Sequence, residues 1–151
     1  MTVLENVLAA SPHAIGINPV RAIFALGKVK QQEREFRAQA FAWLDMLGMA
    51  DRADSSGEKL SVGQSKRVAI ARILQTGSKV LLLDEPLAGL DNDSAVKLVE
   101  DLNRLAKVTH QAMLIVEHNH DAITPVCDLR YTLSDGLLMR EELNVNEPVE
   151  F

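Results

Sequence analysis

Hydrophobic positions follow a helical spacing in the first part of the chain and form short continuous runs in the second. In residues 31–47 and 94–108, apolar side chains recur three and four positions apart, which predicts two amphipathic helices. Gly48 and Gly77 stand where helices are expected to end. Shorter helices are predicted over residues 2–10, 65–74 and 121–126, and a loop over residues 11–19, which contain prolines and a glycine.

Two apolar runs in the second part, residues 80–83 and 112–116, have the length of β-strands. Continuous apolar runs are typical of parallel strands buried on both faces, so both strands are expected to be buried. Residues 130–133 and 137–140 flank a Ser-Asp-Gly turn and predict a hairpin. The order is therefore mostly helical to about residue 76, then strand, helix, strand, helix and hairpin. This order predicts an α/β fold with a parallel sheet and right-handed crossovers.

Composition and charge exclude several classes of protein. A hydrophobic content of 47% with 25% charged residues is that of an ordinary globular protein. The net charge of −5 argues against a general nucleic-acid or anionic-membrane surface. Cys127 is the single cysteine, which excludes an intrachain disulfide and is more typical of a small core residue. No apolar run approaches the roughly 18 residues that span a bilayer, so work at a membrane would need a partner.

The run at residues 80–83 ends in two adjacent carboxylates, Asp84 and Glu85, followed by Pro86. They stand at the carboxyl edge of the predicted sheet, where α/β proteins bind ligands. Asp84 could hold Mg²⁺, which favours one or two carboxylates together with phosphate oxygens. Glu85 could orient and deprotonate an attacking water. The alternative is a strand followed by an acidic turn without function.

Two further segments contain polar groups suited to phosphate. Ser61 and Gly63 precede a predicted helix, where Ser61 could cap the helix or bind phosphate and Gly63 would allow close backbone approach. The alternative is a simple capped helix start. His118 follows the second strand and could bond a phosphate oxygen or lie free on the surface.

Together these segments resemble the ABC-type ATPases. The family's motifs occur in the family's order: the signature at residues 60–64, the Walker B strand at 80–85, the D-loop at 87–91, and the switch histidine His118. The resemblance covers nearly the whole chain. Residues 12–46 are similar to the helical subdomain of branched-chain amino acid importer ATPases. Val62 stands in place of the common glycine of the signature, at a position that often varies in that branch.

The resemblance implies a partial P-loop NTPase fold. Residues 1–76 would be the helical subdomain with the signature, and residues 77–151 the distal half of a RecA-like parallel-sheet core. Asp84 would bind the Mg²⁺ of ATP, Glu85 would be the general base, and His118 would contact the γ-phosphate and the attacking water.

The resemblance also implies partners and a location. A second ATPase subunit, identical or different, would be required, because the signature contacts ATP held by the opposite subunit and the D-loop links the two sites. The residues in these roles would be Ser61, Gly63, Gln64 and Asp91. The helical subdomain would dock on transmembrane permease subunits, which places the protein in the cytoplasm at the inner face of the cell membrane. Nucleic acid is not an expected partner.

A phosphate-binding P-loop is missing from this sequence. The pattern G-x-x-x-x-G-K-[ST] is required for it, but at the one Gly27-Lys28 pair Ala22 replaces the first glycine and Val29 the hydroxyl residue. The Q-loop and the adenine-stacking aromatic of the family are absent too. In the family the P-loop strand lies between the strands expected at residues 112–116 and 130–133, so its loss should leave a gap and unpaired edges.

The sequence therefore predicts an ATP-binding and ATP-hydrolysing ABC transporter subunit, of the branched-chain amino acid import type, as an N-terminally truncated chain. Whether the chain itself is an enzyme stays open, because hydrolysis by it alone is not expected. The alternative is a catalytically inactive module that binds a membrane or ATPase partner. A soluble ABC ATPase of translation or DNA repair is disfavoured, because neither a tandem cassette nor a coiled-coil arm is present.

Overall fold

The structure, a computed structural model, describes residues 1–12 and 26–141. Most of the loop predicted at residues 11–19 lies outside the described residues. The first part of the chain contains helices α1 (Val3–Leu8), α2 (Leu26–Met46) and α3 (Val62–Gln75). Short 3₁₀ turns at Ala50–Arg52 and Gly57–Lys59 lie between α2 and α3. The helical character predicted for this part is confirmed.

The three helices pack around a shared apolar core. Helix α1 is anchored at its start, because the amides of Val3 and Leu4 donate to the carbonyls of Ser55 and Ala53 at 2.9 Å. The stripe predicted on α2 faces this core through its buried members, and α3 adds a buried face of its own. The fully or nearly fully buried side chains of the three helices include Val3, Leu4, Val7, Ala40, Leu44, Val68, Ile70, Ala71 and Leu74.

Helix α3 begins earlier than predicted, at Val62 rather than residue 65. The cause is a capping box. The Ser61 hydroxyl accepts from the Gln64 amide at 3.2 Å, and the Gln64 side chain accepts from the Ser61 amide at 3.0 Å. Because these bonds satisfy free amides of the first turn, the helix is stable before its hydrophobic stripe begins.

The second part contains β1 (Val80–Asp84), α4 (Asn92–Thr109) and β2 (Ala112–Val116). The two strands pair in parallel, with Leu82 opposite Leu114 and Asp84 opposite Val116. Helix α4 connects them and buries Leu98, Leu102 and Leu105 in the same core as the inner face of β1. The predicted strand–helix–strand unit with a parallel pair is therefore confirmed.

The expectation that both strands are buried on both faces is wrong for the described residues. Burial alternates along β1, where Leu81 is fully buried and Leu82 is 68% exposed. Leu114 and Val116 are also more than half exposed on β2. Side chains alternate between the two faces of a strand, and the described helices cover only one face of this sheet. The other face is an apolar surface, here called the open sheet face, made of Val80, Leu82, Leu114 and Val116.

The last described elements are a short helix α5 (His120–Ile123), a 3₁₀ turn at Thr124–Val126, and strands β3 (Arg130–Ser134) and β4 (Leu137–Glu141). The strands form the predicted hairpin, and its two loop residues Asp135 and Gly136 both have the positive φ that a type I′ turn requires. Among the described residues β2 and β3 lie in separate two-stranded sheets, which agrees with the gap expected between them when the P-loop strand is missing. Cys127 packs partly buried against the core, and this burial raises the pKa of its thiol.

An ion pair joins α3 to α4. The guanidinium Nε of Arg67 lies 2.9 Å from the Asp101 carboxylate, and both side chains are nearly buried. Arg104 approaches the same carboxylate at 3.9 Å and donates to the Met46 carbonyl at the end of α2. Two helices of the first part are thus held against the helix that connects the strands.

Adjacent positions of β1 provide a stability test of the one-sided packing. Leu81→Ala removes a buried side chain and should lower the free energy of unfolding by about 2–5 kcal/mol. Leu82→Ala, on the open sheet face, should change it by less than about 1 kcal/mol. Urea unfolding of the two variants and the parent measures both values. Equal losses would show that the open sheet face is covered.

Candidate functional site

Asp84 and Glu85 lie at the carboxyl end of β1, next to the end of β2. The Glu85 amide donates to the Val116 carbonyl at 2.9 Å and so extends the pairing of the two strands by one residue. The Asp84 side chain is exposed, and the structure gives its carboxylate no hydrogen bond or ion pair with any described residue. Asp84 is therefore available to a ligand or cation at this edge.

The two residues predicted to be catalytic meet in the structure. The Nε2 atom of His118 lies 2.9 Å from the Glu85 Oε1 atom, on the surface, with 86% of the histidine side chain and 47% of the glutamate side chain exposed. An ionised carboxylate can only accept, so the contact places a proton on Nε2. One carboxylate oxygen is oriented by His118, and the other is left to accept a proton from a bound molecule.

The backbone of Glu85 has an unusual conformation. Its φ of +44° lies in the left-handed region, which is rare for residues other than glycine and typical of strained functional sites. Two contacts hold this turn. The Lys66 ammonium donates to the Glu85 carbonyl at 2.8 Å, and the Leu87 amide donates to the Glu117 carboxylate at 2.5 Å.

Lys66 and Glu117 were not identified as site residues from the sequence. A signal existed for Glu117, because it directly precedes His118 and adds a carboxylate to the same sheet edge. No pattern marked Lys66, which bonds a backbone carbonyl.

The signature residues form the start of α3. Ser61 and Gln64 bond each other in the capping box, so the structure shows the cap that was the alternative to a phosphate ligand. Gly63 is buried, and a Cβ at this position would lie 3.5 Å from the Ser94 side chain and 3.6 Å from that of Leu90. These are ordinary van der Waals distances, so α3 packs against the start of α4 at Gly63 with room for a Cβ.

Asp91 caps the start of α4. Its carboxylate accepts from the Ser94 amide at 2.9 Å and from the Ser94 hydroxyl at 2.8 Å. The bond from the Ser94 amide has the larger effect and the bond from the Ser94 hydroxyl the smaller one, and both hold the pKa of Asp91 below its usual value. Because Gly63 packs on Ser94, Asp91 and the signature lie on the same side of the molecule.

The predicted site residues thus form two groups. Asp84, Glu85 and His118 lie at the sheet edge, and Ser61, Gly63, Gln64 and Asp91 lie where α3 and α4 begin. Within the described part of the chain, no side-chain hydrogen bond joins the two groups directly. The Lys66 bond to the Glu85 carbonyl connects α3 to the sheet edge.

The donor set at the sheet edge fits a metal ion bound together with phosphate. Residues 1–12 and 26–141 contain no cluster of three or more side chains that could hold a metal ion alone. Mg²⁺ commonly takes one or two carboxylates and completes its shell with phosphate oxygens and water. The unpaired carboxylate of Asp84 fits that mode of binding. In the same two segments, no helix combines the length and apolar character needed to cross a membrane.

Comparison with known proteins shows the family. The family model described as "ABC transporter" matches residues 1–88. The chain belongs to the ABC transporter ATP-binding family. The predicted fold class, α/β with a partial P-loop NTPase architecture, is confirmed by solved ABC cassettes. One, an ATP-binding cassette of an ABC transporter in its ADP conformation, is 32% identical with a TM-score of 0.72, covering 92% of this chain and 54% of that one.

Other relatives come from several kinds of ABC transporter. The phosphonates import ATP-binding protein PhnC 1 of Nostoc sp. PCC 7120 is 38% identical over 142 residues, covering 92% of this chain and 50% of that protein. The branched-chain amino acid transport ATP-binding protein BraF of Pseudomonas aeruginosa is 29% identical over 136 residues, covering 90% and 53%. The chain spans about half the length of these relatives. The branched-chain subgroup is one of several matched and is not singled out.

A further solved structure shows the assembly of a related cassette. It is a dimeric post-hydrolysis state of an ATP-binding cassette bound to ADP and phosphate, 26% identical to this chain with a TM-score of 0.68. The match covers 95% of this chain and 57% of the related cassette.

The cap at Asp91 predicts a pH dependence of stability in acid. The ionised carboxylate is favoured by folding, so its stabilising effect is present above the ordinary Asp pKa of about 3.9 and is lost as the pH falls through the lowered pKa. Ser94→Ala removes the hydroxyl bond and keeps the backbone bond, so the pKa should rise part of the way to the ordinary value. An NMR titration of the Asp91 carboxyl measures it. An unchanged midpoint would show that the hydroxyl bond does not form in solution.

Proposed function

We propose that this chain provides the Mg²⁺-binding and water-activating half of an ABC transporter ATPase, with Glu85 as the general base. The observation that supports the proposal is the 2.9 Å contact between Glu85 and His118 beside the unpaired Asp84. A strand-end carboxylate held by a histidine can act as a general base, and a second carboxylate free for a cation can supply the metal ion that assists hydrolysis of a phosphate anhydride.

The roles follow from these positions. Asp84 would hold the Mg²⁺ of bound ATP, and that ion would neutralise charge on the phosphates. Glu85 accepts a proton from water at the carboxylate oxygen that His118 leaves free. His118 orients this carboxylate and would contact the γ-phosphate at the same sheet edge.

The second group of residues would serve a partner subunit. We propose that Ser61, Gly63 and Gln64 contact ATP held by the opposite subunit and that Asp91 links the two sites. The separation of this group from Asp84, Glu85 and His118 supports that assignment, as does the dimeric state of the related cassette. The capping box occupies the amides of Ser61 and Gln64, and the amides of Val62 and Gly63 at the same helix start have no partners within the helix, which attracts phosphate.

The phosphate-binding loop would come from a segment outside this sequence, either in a longer chain or in a second polypeptide. The open sheet face supports this interpretation, because contiguous exposed apolar side chains are typical of interaction surfaces. The match of this chain to about half the length of its relatives points the same way.

Further proposals concern the transporter as a whole. Residues 1–76 would dock on the permease subunits at the cytoplasmic face of the membrane. Branched-chain amino acid import is the proposed task, supported by the likeness to BraF and by the resemblance of the sequence at residues 12–46 to that of such importers. Phosphonate import is the second candidate, because PhnC 1 is the more nearly identical relative. A binding assay distinguishes the two candidates: the protein is added to membranes that contain the permease subunits of either a branched-chain amino acid importer or a phosphonate importer, and the bound amounts are compared.

Nucleotide binding tests whether a phosphate-binding loop must be supplied. Calorimetric titration of this chain with Mg-ATP should show no binding in the micromolar range. Addition of a polypeptide that carries the G-x-x-x-x-G-K-[ST] loop of a related ABC ATPase should restore binding and hydrolysis. The control is the same polypeptide with its loop lysine replaced by alanine. Micromolar binding by this chain alone would contradict the proposal, and failure of all combinations would favour an inactive binding module.

The role of Glu85 predicts a large loss of turnover in the assembled ATPase. Glu85→Gln keeps the size of the side chain but removes the basic carboxylate, so the rate of ATP hydrolysis should fall by about 10²- to 10⁴-fold. Glu100→Gln, at an exposed position of α4, is the matched control and should retain the parent rate. Near-parent turnover in Glu85→Gln would remove Glu85 from the role of base.

A further inference from the structure

The backbone of Glu85 departs from the pattern that explains other left-handed residues. Outside glycine, the described residues with positive φ are Glu85, His110 and Asp135. His110 ends helix α4 and Asp135 lies in the type I′ hairpin turn, both of which favour this conformation. Glu85 instead directly follows strand β1, and glutamate is not among the residues that adopt the left-handed region readily. Its conformation must therefore be held by its surroundings.

One of the two holding contacts comes from helix α3. Lys66 lies one turn after the capping residue Ser61, and its ammonium reaches the Glu85 carbonyl at 2.8 Å. The same carbonyl accepts from the Ala88 amide at 3.2 Å, which closes the turn. A hydrogen bond from a charged donor is stronger than a neutral one, so Lys66 fixes the direction of this carbonyl.

The other contact comes from the end of β2. Glu117 is half-buried, and its Oε1 atom accepts from the amide of Leu87, a buried residue, at 2.5 Å. Its Oε2 atom lies 3.2 Å from the His118 amide. One carboxylate therefore ties the backbone after Glu85 to the backbone of the histidine that Glu85 contacts.

We propose that Lys66 and Glu117 are positioning residues that hold the left-handed turn at Glu85 and thereby keep its carboxylate against His118. The two residues hold the backbone directly after the Glu85 Cα, one at the Glu85 carbonyl and the other at the amide of Leu87. Because the direction of a side chain follows its backbone, relaxation of φ at Glu85 would move the carboxylate away from His118. Lys66 also makes the position of the Glu85 carbonyl depend on helix α3, which begins with the signature residues. The expected effect on the rate of ATP hydrolysis rests on the function proposed above for Glu85. The expected effect on the backbone conformation of Glu85 does not.

The test uses two pairs of variants with matched controls. Lys66→Met and Glu117→Ala remove the holding groups, whereas Lys66→Arg keeps a cationic donor and Glu117→Gln keeps an acceptor oxygen. Lys97→Met and Glu100→Ala are the controls, because both side chains are exposed on α4 and the structure gives neither a hydrogen bond to a described residue. Hydrogen exchange of the Leu102 amide in the buried part of α4 reports whether each variant stays folded.

The first readout needs no nucleotide and is made on the full chain by NMR. The three-bond coupling between the amide and α protons of Glu85 increases when φ moves from the left-handed to the extended region. It should increase in Lys66→Met and Glu117→Ala and return toward the parent value in Lys66→Arg and Glu117→Gln. Exchange of the Leu87 amide should accelerate at least about tenfold in Glu117→Ala while that of Leu102 is unchanged. Unchanged coupling in both truncating variants overturns the proposal.

The second readout is ATP turnover in the assembled ATPase. Loss of positioning should lower kcat at least about tenfold and leave KM for ATP within about twofold, because the base acts only in the chemical step. Altered coupling at Glu85 with parent turnover would overturn the catalytic part of the proposal. If the parent assembly has no turnover at all, the function proposed for Glu85 fails, and the coupling constant still decides whether Lys66 and Glu117 hold the turn.

Discussion

The parallel pairing of β1 with β2 is the constraint that creates the candidate site. The register sets Asp84 opposite Val116, so the residues that follow each strand emerge at one edge of the sheet. Glu85 and His118, far apart in sequence, meet there at 2.9 Å. The pairing depends in turn on α4, whose buried leucines occupy the same core as the inner face of β1. The arrangement of these side chains at the sheet edge is therefore a consequence of packing on one face of the sheet.

Helix α3 is tied to this layer by two successive basic residues with different partners. Arg67 pairs with Asp101 on α4 in a nearly buried site, where loss of either charge would leave the other desolvated and is strongly unfavourable. Lys66 reaches the end of β1 through a single bond to a backbone carbonyl, at the surface. The Arg67 contact is thus the firmer one and holds α3 in place. Loss of the Lys66 contact should therefore disturb the fold less than loss of the Arg67 pair, which fits the positioning role proposed for Lys66.

The sequence predicted the elements well where the local chemistry is strong. The bounds of β2 and the residues of the hairpin turn follow from a continuous apolar run and from an Asp-Gly pair, and both were predicted. The start of α3 was missed because hydrophobic periodicity begins after the capping box that nucleates the helix. Asp84, Glu85 and His118 were predicted as a group by resemblance and strand order. Lys66 was not, because a bond to a backbone carbonyl leaves no pattern in the sequence. Glu117 was missed although its place directly before His118 was a signal.

The error about strand burial is informative in physical terms. An apolar run indicates that both faces of a strand can pack against other apolar side chains. The described residues contain no layer that covers Leu82 and Leu114. These two leucines are register partners, so the uncovered positions form one continuous surface. This surface belongs to the same two strands whose ends present Asp84, Glu85 and His118. A segment that covers this surface as far as Val116 reaches the candidate site, and we therefore expect the segment that completes the core also to bring the phosphate-binding loop.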